Sequence, residues 1–402
     1  LDPYAIENTE VFFGPGSIIY GSDAIGAVMS FQTLTPQLSL TTEKPLITGG
    51  ADLRYSSASN EKTGHVHFNV GWKKLALVTS FSSYDFEDLR MGSFGPEEYL
   101  RGFYVQRQDS LDEVITNPDP QQQVPTGYRQ VNLMQKVRYS PDERWDLQYG
   151  FHYSTTSDYA RYDRLIRTRD GLPRSAEWNY GPQVWMMNNL AITHKSYNGV
   201  YDQMIVRLAH QYFEESRMDR DLNDTERRIR MEKVNAFSFN ADFTKSIGLR
   251  SKLHYGLEVV VDDVNSSGSD EDIITGETVD GPSRYPLATW SSYAVYITYD
   301  YKVSDKVGLQ AGARYNYYLL DADFSNNLDF YPFPYSTARI NDGALTGSAG
   351  VVYNPTEKWS LYLDVATGFR APNVDDMGKV FDSEPGSVVV PNPDLKAEYA
   401  YN

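Results

Sequence analysis

Cysteine is absent from all 402 residues, which excludes thiol nucleophiles, disulfide staples and cysteine-held zinc or iron–sulfur centres. Positive charge is scarce: 37 Lys plus Arg stand against 54 Asp plus Glu, a formal charge of −17, so no nucleic-acid partner is expected. No run approaches the roughly 18 consecutive apolar residues of a membrane-crossing helix. The opening Leu1-Asp2-Pro3-Tyr4 has no initiator Met and no basic-then-apolar export pattern. Because the chain starts and stops inside strand-like patterns, it is expected to be a fragment. Tyrosine, in contrast, is plentiful, with 31 Tyr beside 18 Phe and 6 Trp.

The dominant pattern has a period of two. Trp145, Leu147, Tyr149, Phe151 and Tyr153 share one face, while Asp146, Gln148, Gly150 and His152 share the other. Val66, Phe68, Val70 and Trp72 alternate with His65, His67, Asn69 and Gly71, and comparable alternation covers residues 237–244, 292–301 and 309–317. Each such strand has one face suited to an apolar environment. Connections are expected to alternate between tight (140–144, 196–199, 302–306, 354–358) and long and polar (87–127, 161–181, 216–230, 265–285, 323–342, 373–395). This meander predicts an all-β transmembrane antiparallel barrel, with 13 or 14 strands counted from about Pro45. A soluble β-sandwich, for example a secreted glycosidase, is the rival. Long strands, aromatic residues near strand ends and outward Tyr, Val and Leu count against it, so no enzyme is expected.

Residues 1–40 differ in kind, reading as the end of a small α+β domain: a strand over 6–13, a glycine-rich turn, a brief helical segment at 18–21 and a strand over 26–35. No dinucleotide or Walker spacing accompanies the glycines. The stretch Glu10-Val11-Phe12-Phe13-Gly14-Pro15-Gly16-Ser17-Ile18-Ile19-Tyr20-Gly21-Ser22-Asp23-Ala24-Ile25-Gly26-Ala27-Val28 resembles the end of the plug domain of TonB-dependent outer-membrane receptors. Downstream, Thr367-Gly368-Phe369-Arg370-Ala371-Pro372 and Asn392-Pro393-Asp394-Leu395-Lys396-Ala397-Glu398 resemble the paired barrel signature of the same family. Phe13, Ala27 and the Asp375-Asp376 pair depart mildly from the family pattern.

The resemblance implies residues 1–40 as the C-terminal part of a plug and 41–402 as the first part of a barrel of 22 strands. It implies active import of a scarce solute across the outer membrane of a Gram-negative bacterium, with no cofactor. The expected partners are outer-membrane lipid, an iron-chelate ligand, and the TonB complex through a segment not in this chain. A siderophore is the first expectation, then haem, cobalamin or an oligosaccharide; a passive porin or adhesin barrel is the rival from another class. The motif residues of the plug are Gly14, Pro15, Gly16, Ser17, Tyr20, Gly21 and Gly26, and those of the barrel signature are Phe369, Arg370, Ala371, Pro372, Asn392, Pro393, Asp394, Leu395 and Glu398. Arg370 is expected to meet a lumen or plug carboxylate. Residues 373–391 lack the axial histidine that haem receptors of the family carry there. Candidate ligand contacts are the inward-facing His65, His67 and His152 and the loop residues Arg161, Arg164 and Arg167, which lie with Arg169 and Arg174. The carboxylates Asp219, Asp221, Asp224 and Glu226, and Asp270, Glu271 and Asp272, lack EF-hand spacing and read as solvated loop charge rather than a cation site.

Overall fold

The computed structural model describes residues 2–14, 16–196, 199–380, 382–384 and 387–402; Pro15 lies outside them. Near the N-terminus, β1 (Ile6–Phe13) pairs antiparallel with β2 (Ala27–Thr33), and the short α1 (Ser17–Tyr20) lies between them. The wall begins with β3 (Leu46–Ser56), β4 (Glu61–Gly71) and β5 (Leu75–Phe86). A loop hairpin, β6 (Phe103–Gln108) and β7 (Leu111–Thr116), follows. Next come β8 (Tyr128–Tyr139), β9 (Trp145–Thr156), α2 (Tyr162–Leu165), β10 (Ser175–Tyr180) and β11 (Val184–Lys195). Then follow β12 (Gln203–Asp221), β13 (Glu226–Ile247), β14 (Ser251–Asp272), β15 (Leu287–Lys302) and β16 (Val307–Asp323). The chain continues with β17 (Thr337–Thr356), β18 (Trp359–Arg370), α3 (Val374–Gly378) and β19 (Glu398–Tyr401). The wall strands follow one another antiparallel, β8 pairing with β5 on one side and β9 on the other, and their order closes as a ring with β19 next to β3. Residues 49–55 of β3 and 359–365 of β18 are exposed on both faces.

The distribution of side chains is inside-out. Thr63, His65, Asn69, Asn132, His152, Arg314, Asn316 and Thr346 are buried on the inner face, whereas Val66, Phe68, Phe81, Phe237, Val295 and Leu309 are exposed on the outer one. Water would favour the reverse. An apolar outer band around a polar interior is the solution for a sheet closed within lipid, where every backbone group bonds to a neighbouring strand.

Two expected long loops are instead strand. Residues 216–230 fall largely in β12 and β13, and 265–272 in β14, with Thr278–Gly281 folding back to pair with its end; β12, β13 and β14 run for 19, 22 and 22 residues. The ladders reach Asp219↔Arg228 and Glu226↔Asp272, leaving tight turns at 222–225 and 273–277. Connection 57–60, at the same end, is tight as well. Apolar alternation stops where lipid stops, but backbone pairing does not require it. Cross-strand ion pairs carry the sheet onward: Arg217 with Glu232, Arg228 with Asp219 at 2.5 Å, and Arg230 with Asp270 at 2.9 Å. Of the carboxylates read as solvated loop charge, Asp219 and Asp221 pair with Arg228, Asp270 with Arg230 and Glu271 with Arg227, while Asp224 and Glu226 are exposed; no group of three metal-ligating side chains occurs among the described residues.

Candidate functional site

The N-terminal segment is bonded to the inner wall at its start, in its middle and at its end. At its start, the Asp2 carboxylate accepts from the Tyr4 backbone N–H at 3.1 Å, Ser82 Oγ at 2.6 Å and Tyr84 O–H at 2.7 Å. Tyr4 stacks on the His65 ring with centroids 4.9 Å apart. Because Ser82 donates to Asp2, it accepts from His65 Nδ1 at 2.7 Å, so His65 Nε2 is left to accept from His67 Nδ1 at 3.0 Å. This directed chain places His65 and His67 in a polar seat for the N-terminal segment. His152 is also buried in the lumen wall; its Nε2 has no hydrogen-bond partner among the described residues, and its ring centroid lies 6.0 Å from that of Trp185.

At the other end of the segment, residues 37–39 run against β4. Gln37 N–H donates to Asn69 Oδ1 at 2.8 Å and its carbonyl accepts from Asn69 Nδ2 at 3.1 Å. A Cβ at Gly71 would lie 1.9 Å from the Gln37 carbonyl oxygen, so only glycine permits this approach. Lys136 Nζ donates to Thr33 O at 3.1 Å.

The two sequence motifs, more than 350 residues apart, meet in the middle. Gly14 N–H bonds Gly26 O at 2.8 Å and Gly16 N–H bonds Ala24 O at 2.9 Å, closing the loop that holds α1. Ser17, fully buried, donates from Oγ to Ala24 O and accepts from the Phe369 N–H, both at 3.2 Å. Asp23 N–H donates to Phe369 O at 3.0 Å and Ala371 N–H to Ser22 Oγ at 2.9 Å. Arg370 bonds Asp376 at 2.7 Å, Asp23 at 3.3 Å and Glu398 at 3.7 Å, so it does meet a carboxylate of the N-terminal segment. The Tyr20 ring stacks on Phe12. Pro372 O accepts from Trp290 Nε1 at 3.1 Å, Asn392 N–H donates to Met377 O at 2.9 Å, Asp394 N–H bonds Asn392 Oδ1 at 3.0 Å, and Leu395 packs on the apolar cluster that contains Phe369.

Sequence reading missed the wall partners of α1. Arg314, 1% exposed, pairs with Glu258, which also accepts from Asn240 Nδ2 at 2.8 Å, and its Nη1 points at the Ile18 and Ile19 carbonyls at 3.5 Å. Gly21 lies at φ +78°, and a Cβ there would come within 2.9 Å of Arg314 Nη2. The only sequence signal was a charge on the polar face of an alternating strand.

Above this contact, at the long-loop end, a cavity of about 410 Å³ opens between Asp23, Asp262, Tyr285, Trp290, Asn373 and Asp375. Of the arginines expected to meet ligand, Arg161 bonds Asp163 and Tyr180 O–H, both at 2.8 Å, and lies 5.1 Å from the Trp178 ring centroid. Arg164 lies 3.7 Å from Asp163 and 5.8 Å from the same centroid. Arg167, Arg169 and Arg174 are exposed.

A buried ionic clasp joins three loops nearby. Arg220, 1% exposed, bonds Asp112 of β7 bidentately at 2.7 and 2.9 Å and Glu177 of β10 at 3.0 Å. Arg227 also bonds Glu177 at 2.8 Å, and Arg107 bonds Asp112 at 3.0 Å. Burial pushes the Asp112 carboxyl up, but the Arg220 hydrogen bonds, the Asn223 N–H and Arg107 outweigh it and hold it below its ordinary value. At Glu177 burial is likewise outweighed by Arg227 and Arg220, with the same downward result.

A solved hemophore receptor HasR of Serratia marcescens matches with a TM-score of 0.72 at 13% identity, covering 100% of this chain and 56% of that one. The siderophore receptor PiuA of Acinetobacter baumannii matches with a TM-score of 0.68 at 14% identity, covering 99% and 58%. By sequence, the vitamin B12 transporter BtuB of Vibrio vulnificus is 24% identical over 219 residues, 52% of this chain and 30% of that protein. The chain thus spans a little over half the length of these solved receptors and a smaller share of the curated relative. The family model described as TonB dependent receptor-like, beta-barrel, matches residues 71–402, and the chain belongs to that family.

Proposed function

We propose that this chain contributes the C-terminal part of a plug, residues 1–40, and the first part of an outer-membrane barrel, residues 41–402, in a TonB-dependent importer. The observation that carries this reading is the N-terminal segment inside the wall, held by single hydrogen bonds and ion pairs such as Ser17–Phe369, Ser22–Ala371 and Arg370–Asp23. Each is modest in net free energy, so the segment is fixed at rest yet displaceable by a pull from the TonB complex. The solute is a ferric siderophore or similar iron chelate, which the arginine-rich 157–183 segment would meet first. Cobalamin is the second reading, favoured by the sequence match to the vitamin B12 transporter. His65 and His67 serve the seat of the plug in this scheme rather than the ligand.

The test is uptake by cells expressing the full-length protein, with and without TonB, of labelled ferric siderophores, haem and cobalamin. TonB-dependent accumulation of an iron chelate supports the proposal. Uptake of cobalamin alone moves the assignment to the second reading, and TonB-independent diffusion of many solutes refutes active import.

A further inference from the structure

Inner-face aromatic rings form a continuous row across the long-loop end of the wall. From Tyr84 the centroid spacings are 5.9 Å to Phe86, 4.8 Å on to Tyr128, 5.8 Å to Tyr159, 5.7 Å to Tyr180 and 5.1 Å to Trp178. The register fixes the face: Tyr84 opposes the buried Thr63, Tyr128 opposes Phe86, and Tyr180 opposes Arg217, whose partner Glu232 is also buried. At its lower end the row reaches the N-terminal segment, with Tyr4 6.3 Å from Tyr84. Beyond Tyr84 the rings are only half-buried, so they retain accessible surface.

Cations gather at the upper end. Arg161 lies over both Trp178 and Tyr180, Arg164 over Trp178, and Arg217 over Tyr180 at 5.2 Å. Residues 157–183 hold five arginines against four carboxylates in a chain of net charge −17, and one of those carboxylates, Glu177, is spent on Arg220 and Arg227. The segment therefore offers positive charge directly beside half-buried ring faces.

We propose that this row is a binding track for an aryl anion: a flat aromatic ring system bearing anionic oxygens, as in an aryl-oxygen iron chelate. The guanidiniums take the oxygens and the rings take the aromatic faces in offset or tilted stacking. Stepwise transfer from Trp178 towards Tyr84 brings such a ligand to Tyr4. The track deepens the import reading and rests on it for its purpose, though not for its binding chemistry.

The test uses the full-length protein in detergent, with ferric 2,3-dihydroxybenzoate as the aryl probe and ferric citrate as the ringless anion. Binding is read as quenching of Trp178 fluorescence, isolated by difference from Trp178→Phe. The Tyr128→Leu/Tyr159→Leu variant should weaken the aryl complex by roughly tenfold or more, with ferric citrate unaffected. Tyr128→Phe/Tyr159→Phe should retain wild-type affinity, which separates ring stacking from loss of fold, and the heat-dependent gel shift of a folded barrel checks the Leu variant. Equal aryl affinity in the Leu variant overturns the track, as does equal loss of both probes. If aryl binding follows the rings while TonB-dependent uptake is absent, import fails and the track stands; uptake unaffected by the Leu variant has the opposite meaning.

Discussion

Replacing Arg220 by Met should release the hairpin β6–β7 from the tip of β12–β13. The guanidinium is buried and makes four hydrogen bonds, two to Asp112, one to Glu177 and one to Asp224 O at 2.7 Å. Removing one partner of a buried pair costs about 3–5 kcal/mol. Asp112 keeps Arg107 at 3.0 Å and the Asn223 N–H at 2.7 Å, and Glu177 keeps Arg227, so the lower end of the range applies. About 3 kcal/mol raises the open population of the hairpin about a hundredfold. Amide exchange of residues 111–116 in the full-length protein in bilayers measures this. Adding Asp112→Asn to Arg220→Met should recover part of the loss, since it removes the stranded charge. A change below about threefold in Arg220→Met would refute the clasp as the element that holds the hairpin. The clasp also has a pH signature. Asp112 and Glu177 have folded-state pKa values below their ordinary ones, so their stabilisation is complete above the ordinary carboxylate values of about 4 and is lost as pH falls below them. Exchange of 111–116 should be flat between pH 5 and 7 after correction for intrinsic rates, and opening at pH 6 would contradict the assignment.

Ser17→Ala should loosen the N-terminal segment by about 1–3 kcal/mol, because the buried Phe369 N–H loses its acceptor; the urea midpoint for exposure of that segment should fall while the barrel's own midpoint stays. Gly21→Val forces a side chain onto Arg314 at a positive φ, so the segment should shift and single-channel recordings should show openings that the wild type lacks. Val295, 59% exposed on the outer face, should tolerate Leu but not Arg, which costs about 2–4 kcal/mol near mid-membrane; refolding yield into lipid vesicles reads the difference.

The wall was legible because lipid and lumen impose opposite demands on alternate residues, and runs such as Trp145–Tyr153 display both. The upper parts of β12, β13 and β14 were not, since Arg228, Arg230 and their carboxylates look like loop until the register places them opposite one another. The meeting of Ser17 with Phe369 was not legible, since no spacing rule links residues 352 apart. Arg314 and Glu258 were illegible as a site, because alternation tells which way a side chain points but not what it meets. His65 and His67 were legible as inward-facing, but the carboxylate that their hydrogen-bond chain reaches through Ser82, Asp2, lies in another segment, and alternation gives no sign of it.

The length of β13 and β14 sets a height. At about 3.4 Å per residue, 22 residues make a contour of roughly 75 Å, or about 53 Å along the membrane normal at a tilt near 45°. An apolar band about 25 Å tall leaves more than 25 Å standing beyond it. The ion-paired hairpins thus act as a mast, carrying the clasp and its neighbouring arginines well clear of the lipid headgroups, so that an arriving solute meets stiff paired sheet before it meets the membrane.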